Sequence, residues 1–202
     1  RMVPMCSSQP FWHDVIAGLV DSLTGYYGVN GVYIDQIAAH SSELCFDASH
    51  GHPLGGGRWW VDGYQKMLEK VKAVAVPRGA VITSENTAEP YINKLDAFLT
   101  WYEPMQDDIP MLQMIYSGYT FYFGSKSSPS PQTTDRGFIM GQGRAFLWGH
   151  QNGWMSLWFM QPGHEKKAEY FGMIGKYRLA AKKFLTYGEL VDLIHPLNDV
   201  PV

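Results

Sequence analysis

Short apolar runs alternate with longer amphipathic stretches along all 202 residues, and this alternation constrains the fold more than any other feature. Apolar runs bounded by turn residues predict strands, and stretches whose apolar residues recur at helical spacing predict helices. A chain in which strands alternate with helices is typical of parallel β/α architecture, because each helix returns the chain to the start of the next strand. We therefore predict an α/β fold.

The alternation resolves into about six strand–helix units. The clearest helix is at residues 164–186, and the longest connection is the Gly- and His-containing segment at residues 38–57. A connection of that length inside a domain is usually a lid or a binding loop. Strands are predicted at residues 2–6, 28–37, 80–85, 97–103, 110–116 and 155–160, and helices at residues 10–27, 59–75, 88–95, 137–149 and 164–186.

The number of units predicts a partial barrel. A complete (β/α)8 TIM-type barrel has eight strand–helix units and normally needs about 250 residues. The chain is two units short, so we predict a single barrel domain at residues 1–202 whose first two units precede Arg1. The competing architecture is a doubly wound open sheet, although no glycine fingerprint of a dinucleotide site follows a strand.

Composition narrows the classes of partner. A net charge of -3 and a pI near 6.2 predict no nucleic-acid partner, because binding to a phosphate backbone needs a clustered excess of Lys and Arg. No apolar run reaches the roughly 18–20 residues of a membrane span, so no membrane partner is predicted. Cys6 and Cys45 form no disulfide framework and lack the paired spacing of a zinc site. Aromatic residues, at 14%, suit sugar faces but also any well-packed core.

Two carboxylates follow apolar runs. Asp35 comes directly after the run at residues 31–34, and Glu85 ends the run at residues 80–85. Reacting groups of barrel enzymes lie at the C-terminal ends of strands, and the ends of adjacent parallel strands lie close together. A charge beside an apolar run is costly to bury unless it emerges into a polar cleft. Alternatively, Asp35 caps the next loop or pairs with Arg58, and Glu85 forms an ion pair at the barrel rim.

Two carboxyl groups at one barrel mouth indicate glycosyl transfer. An ionised carboxylate attacks or stabilises the anomeric carbon, and a protonated carboxyl donates its proton to the leaving oxygen. In retaining enzymes the groups lie roughly 5–5.5 Å apart, which neighbouring strand ends can supply. We therefore predict Asp35 and Glu85 as catalytic residues, with no cofactor.

The histidine loop, which contains His40, Asp47, His50 and His52, allows a rival function. A His-x-His pair beside carboxylates could hold zinc or a similar ion in a metal-dependent barrel hydrolase. In that class the pair ordinarily sits on a strand, whereas the neighbouring Gly and Pro indicate a loop here. Hydrogen bonding to substrate is therefore the preferred role of these histidines, and no metal is assigned.

The motifs GVYIDQI, HGHPLGGGRWW, VITSEN and FLTWYE resemble a family of bacterial barrel proteins related to glycoside hydrolases, and the resemblance covers most of the chain. That family is distantly similar to α-amylase-like and endo-α-N-acetylgalactosaminidase-like retaining enzymes, which carry an Asp nucleophile after the fourth strand and a Glu acid/base after the fifth. The resemblance implies that Asp35 is the nucleophile and Glu85 the acid/base. It also numbers the six predicted strands as the third to the eighth.

One departure from the amylase pattern concerns a further Asp after the seventh strand. This chain has Tyr116 and Ser117 at that place, and Glu103 and Asp107 are the available substitutes.

Further residues near the strand ends and in the loop are predicted to bind substrate. Trp101 and Tyr102 can stack on a pyranose ring, and Gln36 and Gln113 can supply neutral hydrogen bonds to hydroxyl groups. The predicted substrate-binding residues are Tyr33, Gln36, His50, His52, Arg58, Trp101, Tyr102, Glu103 and Gln113.

The predicted function is retaining hydrolysis of an O-glycosidic bond in a carbohydrate substrate. One alternative is a metal-dependent barrel hydrolase that uses the loop from His40 to His52. Another is a non-catalytic carbohydrate-binding barrel remnant. An unpaired barrel edge is an aggregation hazard, so a homo-oligomer that covers this edge is also predicted.

Overall fold

Four short parallel strands form the central sheet of the chain, whose computed structural model describes residues 4–100, 109–124, 132–153 and 157–188. Each strand pairs in parallel with the strand that follows it along the chain. The predicted α/β class is therefore confirmed. Strand β1 is Gly31–Ile34, β2 is Val81–Glu85, β3 is Ala97–Leu99 and β4 is Phe121–Phe123.

The strand order distinguishes this sheet from a doubly wound one. A doubly wound sheet reverses its strand order at a switch point, whereas these four strands run β1-β2-β3-β4 without reversal. Beyond β4, Phe123 forms a parallel bridge to Gln151, and the Gly124 N–H donates to the Gln151 backbone oxygen at 2.9 Å. The chain therefore winds in one direction through the described residues, although these four strands do not by themselves close a barrel.

Most helices in the described residues form where helices are predicted, whereas the helix predicted at residues 88–95 is reduced to the 3-10 turn Glu89–Tyr91. The α-helices are α1 (Pro10–Asp21), α2 (Trp59–Ala75), α3 (Met111–Tyr116), α4 (Asp135–Leu147) and α5 (Glu165–Tyr187), with a π-helical turn at Ser22–Tyr26 and 3-10 turns at Ala48–His50, Val76–Arg78, Glu89–Tyr91 and Leu157–Met160. Pro10 opens α1, where its missing N–H would be unpaired anyway. The turn after α2 ends at Gly79, whose φ of 69° suits glycine. In the described ranges, no helix has the length and apolar character needed to cross a membrane.

The core lies between α2 and the sheet. Leu68 and Val71 lie on one face of α2, at the spacing that predicts a buried helical face, and both are 0% exposed. Ile82 of β2 and Phe98 of β3 are equally buried against them. This packed layer fixes the ends of the central strands.

A close approach between α2 and the N-terminal segment occurs at Gly63. A Cβ atom there would lie 2.4 Å from the backbone oxygen of Ser7. Ser7 is held from two sides, because its hydroxyl donates to the Trp60 backbone oxygen at 2.9 Å and its own backbone oxygen accepts from the His13 ring at 2.5 Å. The absence of a side chain at residue 63 is therefore what lets the two segments touch.

The prediction of the later strands is wrong. Residues 110–116, predicted as a strand, instead contain helix α3 (Met111–Tyr116), and the strand of this unit is β4, which lies between Gly118 and Gly124, both in left-handed conformation. A short apolar run fits the helical and the strand period equally well, so periodicity alone could not separate them. Residues 157–160 form a 3-10 turn, and residues 4–6 of the predicted first strand are not in a strand.

Candidate active site

The ends of β1 and β2 bring Asp35 and Glu85 together. The parallel register pairs Ile34 with Ser84, so the residues that follow them, Asp35 and Glu85, lie side by side. Glu85 also pairs with Leu99 of β3, which places it inside the sheet, whereas Asp35 begins the connection after β1. The pairing of adjacent parallel strands thus brings these two carboxylates close together, as the sequence predicts.

The two carboxyl groups are neighbours but have unequal surroundings. The Asp35 carboxyl lies close enough to the Glu85 carboxyl to raise its pKa. The Glu85 carboxyl accepts a hydrogen bond from the Gln36 side-chain amide, at 2.6 Å from Nε2 to Oε2. Glu85 is only 6% exposed, whereas Asp35 is exposed. One carboxyl therefore faces the protein and the other faces solvent.

This environment raises the pKa of Glu85. Burial is the largest cause, and the neighbouring Asp35 acts in the same direction. The backbone N–H of Gln36 opposes the shift without cancelling it. The buried Glu85 carboxyl therefore keeps its proton more readily than an ordinary glutamic acid does.

Tyr33 completes this group from the same strand. It lies two residues before Asp35, and residues at this spacing point to one face of a strand. Burial is the largest cause that raises the pKa of its hydroxyl, and the charges of Glu85 and Asp35 act in the same direction. The phenol therefore stays neutral and can act as a hydrogen-bond donor to Asp35.

The backbone turns sharply just beyond each carboxyl. Gln36 has a φ of 67° and Asn86 a φ of 56°, so the residue after Asp35 and the residue after Glu85 both adopt the left-handed conformation. This conformation is uncommon for residues other than glycine and is frequent at functional sites. In this arrangement Gln36 turns back to hold Glu85.

Other predicted substrate-binding residues lie in different surroundings. Arg58 pairs with Asp62 one helical turn later, at 3.0 Å between Nε and Oδ1, in place of the alternative pairing with Asp35. Gln113 is buried on α3, and its amide nitrogen lies 2.6 Å from His150 Nε2. The predictions for Trp101, Tyr102, Glu103 and Asp107 lie outside the described residues.

His50 and His52 lie against the two cysteines. The Sγ of Cys6 is 3.2 Å from His52 Nε2, and the Sγ of Cys45 is 3.3 Å from His50 Nδ1. One potential ligand atom from each of the four residues lies within 4.8 Å of the other three. Burial alone would raise the pKa of the Cys6 thiol, but hydrogen bonds from Ser8, His52 and His50 lower it to about 7. We refer to Cys6, Cys45, His50 and His52 as the Cys/His cluster.

Sequence similarity places the chain in a family. The model of the family described as "Domain of unknown function (DUF6259)" matches residues 1–127, which is more than half of the chain. The chain belongs to this family. The DUF6259 match includes strands β1 to β4, Asp35, Glu85 and the Cys/His cluster, whereas α4 and α5 lie beyond it.

Two longer proteins are similar to almost all of the DUF6259 chain. A Bacteroides thetaiotaomicron protein is 30% identical over 201 residues, which are 97% of this chain and 30% of that protein. A Monosiga brevicollis protein is 32% identical over 176 residues, which are 84% of this chain and 14% of that protein. Each relative bears the name "Putative glycoside hydrolase". The chain therefore spans less than a third of the length of these relatives.

Sequence patterns miss the Cys/His cluster. Cys6 and His52 are 46 positions apart, and no paired cysteine spacing announces the site. His40, by contrast, lies outside the cluster, because its Nδ1 donates to the Ser41 backbone oxygen at 2.6 Å and its other nitrogen faces Glu43. In the sequence, the His-x-His pair of His50 and His52 was the signal for this site. The fold is needed to bring the sulfur atoms of Cys6 and Cys45 beside this pair.

The buried imidazole of His150 makes the stability of the protein depend on pH. Burial, and then the charge of Arg178, lowers the pKa of His150 from 6.5 to about 4. As the pH falls from 6.5 toward 4, the unfolded chain takes up a proton that the folded chain excludes, so the free energy of unfolding decreases. We expect a decrease of about 1 kcal/mol over the first pH unit.

Urea unfolding across this pH window measures the effect. His150→Gln should remove this part of the acid sensitivity, and His40→Gln, in the exposed loop, should retain it. An unchanged pH slope in His150→Gln would show that other groups control acid stability.

Proposed function

We propose that this chain carries the catalytic residues of a retaining glycoside hydrolase. The proposal rests on one observation, the proximity of a buried Glu85 with a raised pKa to an exposed Asp35. Two carboxyls whose environments separate their protonation are what acid catalysis by one and nucleophilic attack by the other require. The names of the two relatives support the same class of reaction.

Asp35 acts as the nucleophile and Glu85 as the acid/base. The Asp35 carboxylate attacks the anomeric carbon, and Glu85 gives its proton to the glycosidic oxygen, which leaves as an alcohol. Water then attacks the resulting glycosyl ester of Asp35 and gives a proton to Glu85, so that both carboxyls return to their first state. Tyr33 lies beside Asp35 on the same strand face, and the Gln36 side-chain amide holds Glu85, which keeps the two groups oriented.

Substrate has to enter between the two carboxyls, which retaining glycosidases hold roughly 5–5.5 Å apart. The Glu85 carboxyl is buried and held by Gln36, whereas Asp35 is exposed, so Asp35 is the side chain that adjusts when a sugar enters between them. Burial and the neighbouring Asp35 favour the protonated form of Glu85, which is the form that delivers the proton.

We also propose that the sheet is part of a (β/α)8 barrel. The one-directional strand order and the bridge from Phe123 to Gln151 support four consecutive barrel strands followed by a fifth segment. In the family numbering, β1 to β4 are then the fourth to seventh strands, with β4 replacing residues 110–116 as the seventh. Barrel enzymes react at the C-terminal strand ends, which is where Asp35 and Glu85 lie.

The remaining parts of the site stay predictions. The retaining mechanism and the similarity to α-amylase-like enzymes depend on the sequence motifs, and Trp101, Tyr102 and Glu103 complete the sugar pocket in this proposal. A homo-oligomer that covers the open edge of β1 is proposed in the same way.

Turnover of aryl α- and β-glycosides tests the proposed function. We expect the chain to release aryl alcohol from at least one member of the panel, and we expect the first-formed sugar to keep its anomeric configuration in NMR spectra. The double variant Asp35→Asn/Glu85→Gln, purified in parallel, is the blank for contaminating glycosidases. Equal release by the blank, or no release across the panel, would contradict the proposed function, and inversion would contradict the retaining mechanism.

A further inference from the structure

The Cys/His cluster joins two separate parts of the chain. Cys6 lies just before α1, and Cys45, His50 and His52 all lie in the long connection between β1 and α2. Four potential ligand atoms from these residues converge within 4.8 Å, although the residues are spread over 46 positions. We propose that Cys6, Cys45, His50 and His52 bind one zinc ion in a closed structural site.

The two sulfur–nitrogen distances within the cluster are close to those of tetrahedral zinc, and all four atoms lie within 4.8 Å of one another. With Zn–S bonds of about 2.3 Å and Zn–N bonds of about 2.0–2.1 Å, neighbouring ligand atoms of a tetrahedron lie roughly 3.3–3.8 Å apart. The sulfur–nitrogen distances of 3.2 and 3.3 Å are close to this range. Small side-chain shifts therefore suffice to accommodate the ion.

The outer ring nitrogens of both histidines are engaged in the way that zinc ligands require. His52 Nδ1 donates to the Pro53 backbone oxygen at 2.8 Å, which leaves Nε2 to face Cys6. His50 Nε2 lies 3.4 Å from Asp47 Oδ2, which leaves Nδ1 to face Cys45. A carbonyl or carboxylate behind each imidazole fixes its tautomer and orientation in most zinc sites.

Asp47 is itself held in place. Its Oδ1 accepts from the Ser49 backbone N–H at 2.9 Å and from the Ser49 hydroxyl at 2.6 Å. This leaves the other carboxylate oxygen, Oδ2, directed at His50. Each of the two proposed histidine ligands thus has an oxygen atom behind its outer ring nitrogen.

The donor set selects zinc and a structural role. Two thiolates with two imidazoles match the Cys2His2 set of structural zinc sites, and zinc prefers this mixture of sulfur and nitrogen. All four tetrahedral positions come from the protein, so no position is left for water or substrate. The site therefore differs from that of a metal-dependent hydrolase, which needs an open coordination position.

The ion would fasten the long connection to the body of the protein. Cys45 and Gly55 already pair as an antiparallel bridge, and the His52 ring stacks on Trp59 with 3.9 Å between ring centroids. Gln9 also donates to the His50 backbone oxygen at 3.3 Å. Zinc would add a metal-mediated crosslink between this loop and Cys6, which lies just before α1.

Metal binding by the unmodified chain tests the proposal without relying on glycosidase activity. The full chain, purified under reducing conditions, is expected to contain about one zinc per chain by elemental analysis. After removal of zinc, Co²⁺ is expected to give the visible absorption of tetrahedral cobalt with thiolate charge-transfer bands. Absence of bound zinc together with an octahedral cobalt spectrum would overturn the proposal.

Matched variants locate the ligands. Cys45→Ser and His52→Ala are each expected to lose most of the bound zinc. In the cobalt form, Cys45→Ser should weaken the thiolate charge-transfer bands and His52→Ala should lose the tetrahedral absorption. His40→Ala, in the same loop but outside the cluster, should bind metal like the unmodified chain. Full zinc content in both ligand variants would contradict the assignment. A Cys6–Cys45 disulfide that accounts for both sulfurs, with no zinc uptake after reduction, would also overturn it.

Discussion

Glu85→Gln is expected to lower kcat/KM by about 10²–10⁴ for glycosides with poor leaving groups, since their leaving oxygen needs a proton in the transition state. The loss should be much smaller for aryl glycosides whose leaving group is already a weak base. Glutamine keeps the shape of Glu85 and can still contact Gln36, but it has no proton of suitable acidity to give. Steady-state kinetics over a series of leaving groups measures this dependence.

Asp35→Asn provides the contrast. Loss of the nucleophile should reduce turnover of every glycoside, whatever its leaving group, because attack on the anomeric carbon is common to all of them. Glu69→Gln, which alters an exposed carboxylate paired with Lys94, should leave turnover unchanged. Unchanged turnover in Glu85→Gln or Asp35→Asn would exclude the role proposed for that residue.

The pH dependence supplies a second readout for Glu85. Because burial and Asp35 raise the pKa of Glu85, its protonated form persists above the usual range of a glutamic acid. We expect kcat/KM to fall as the pH rises through this pKa, and we expect this alkaline limb to be absent in Glu85→Gln. An alkaline limb that persists in the variant would assign the titration to another group.

Gly63→Ala is expected to destabilise the protein by about 2 kcal/mol, because overpacking costs about 1–3 kcal/mol or more and alanine regains only about 1 kcal/mol of helix propensity. The new methyl group would meet the Ser7 backbone oxygen, which accepts from the His13 ring, and Ser7 is further held by the bond from its hydroxyl to the Trp60 backbone oxygen. Thermal unfolding should show a fall in Tm of roughly 4–8 °C.

Gly18→Ala is the matched control. Gly18 is also a helical glycine, in α1, but it is exposed and a Cβ atom there would meet nothing within 4 Å. It should gain up to about 1 kcal/mol from helix propensity. Equal effects of the two substitutions would show that the Ser7 backbone shifts to accommodate the new methyl group.

The sequence predicts the parts of the fold whose signals are local. The apolar face of α2 repeats over several turns, so the predicted bounds of 59–75 agree with Trp59–Ala75. Asp35 and Glu85 could be found because each carboxylate follows an apolar run, and parallel pairing then brings the two strand ends together. A sequence pattern confined to one strand or one helix can be interpreted without knowledge of the rest of the fold.

Features that depend on distant contacts or on backbone conformation could not be predicted. The run at residues 110–116 is too short for its period to decide between helix and strand, and the three-residue β4 was overlooked. The Cys/His cluster needs the N-terminal segment to fold against the loop. The sequence also gives no sign of the partners of two predicted substrate-binding residues, since Arg58 pairs with Asp62 while remaining exposed and Gln113 contacts the buried His150.

The left-handed residues behind the two carboxyls limit how this site can change over evolutionary time. Branched side chains are excluded from residues 36 and 86 by the same steric rule that makes their φ values rare. Glycine would relieve the backbone at residue 36 but would delete the amide that holds Glu85. Sequence drift at these two positions is therefore expected to be narrow, and attempts to redirect specificity should vary the surrounding loops while leaving Gln36 and Asn86 untouched.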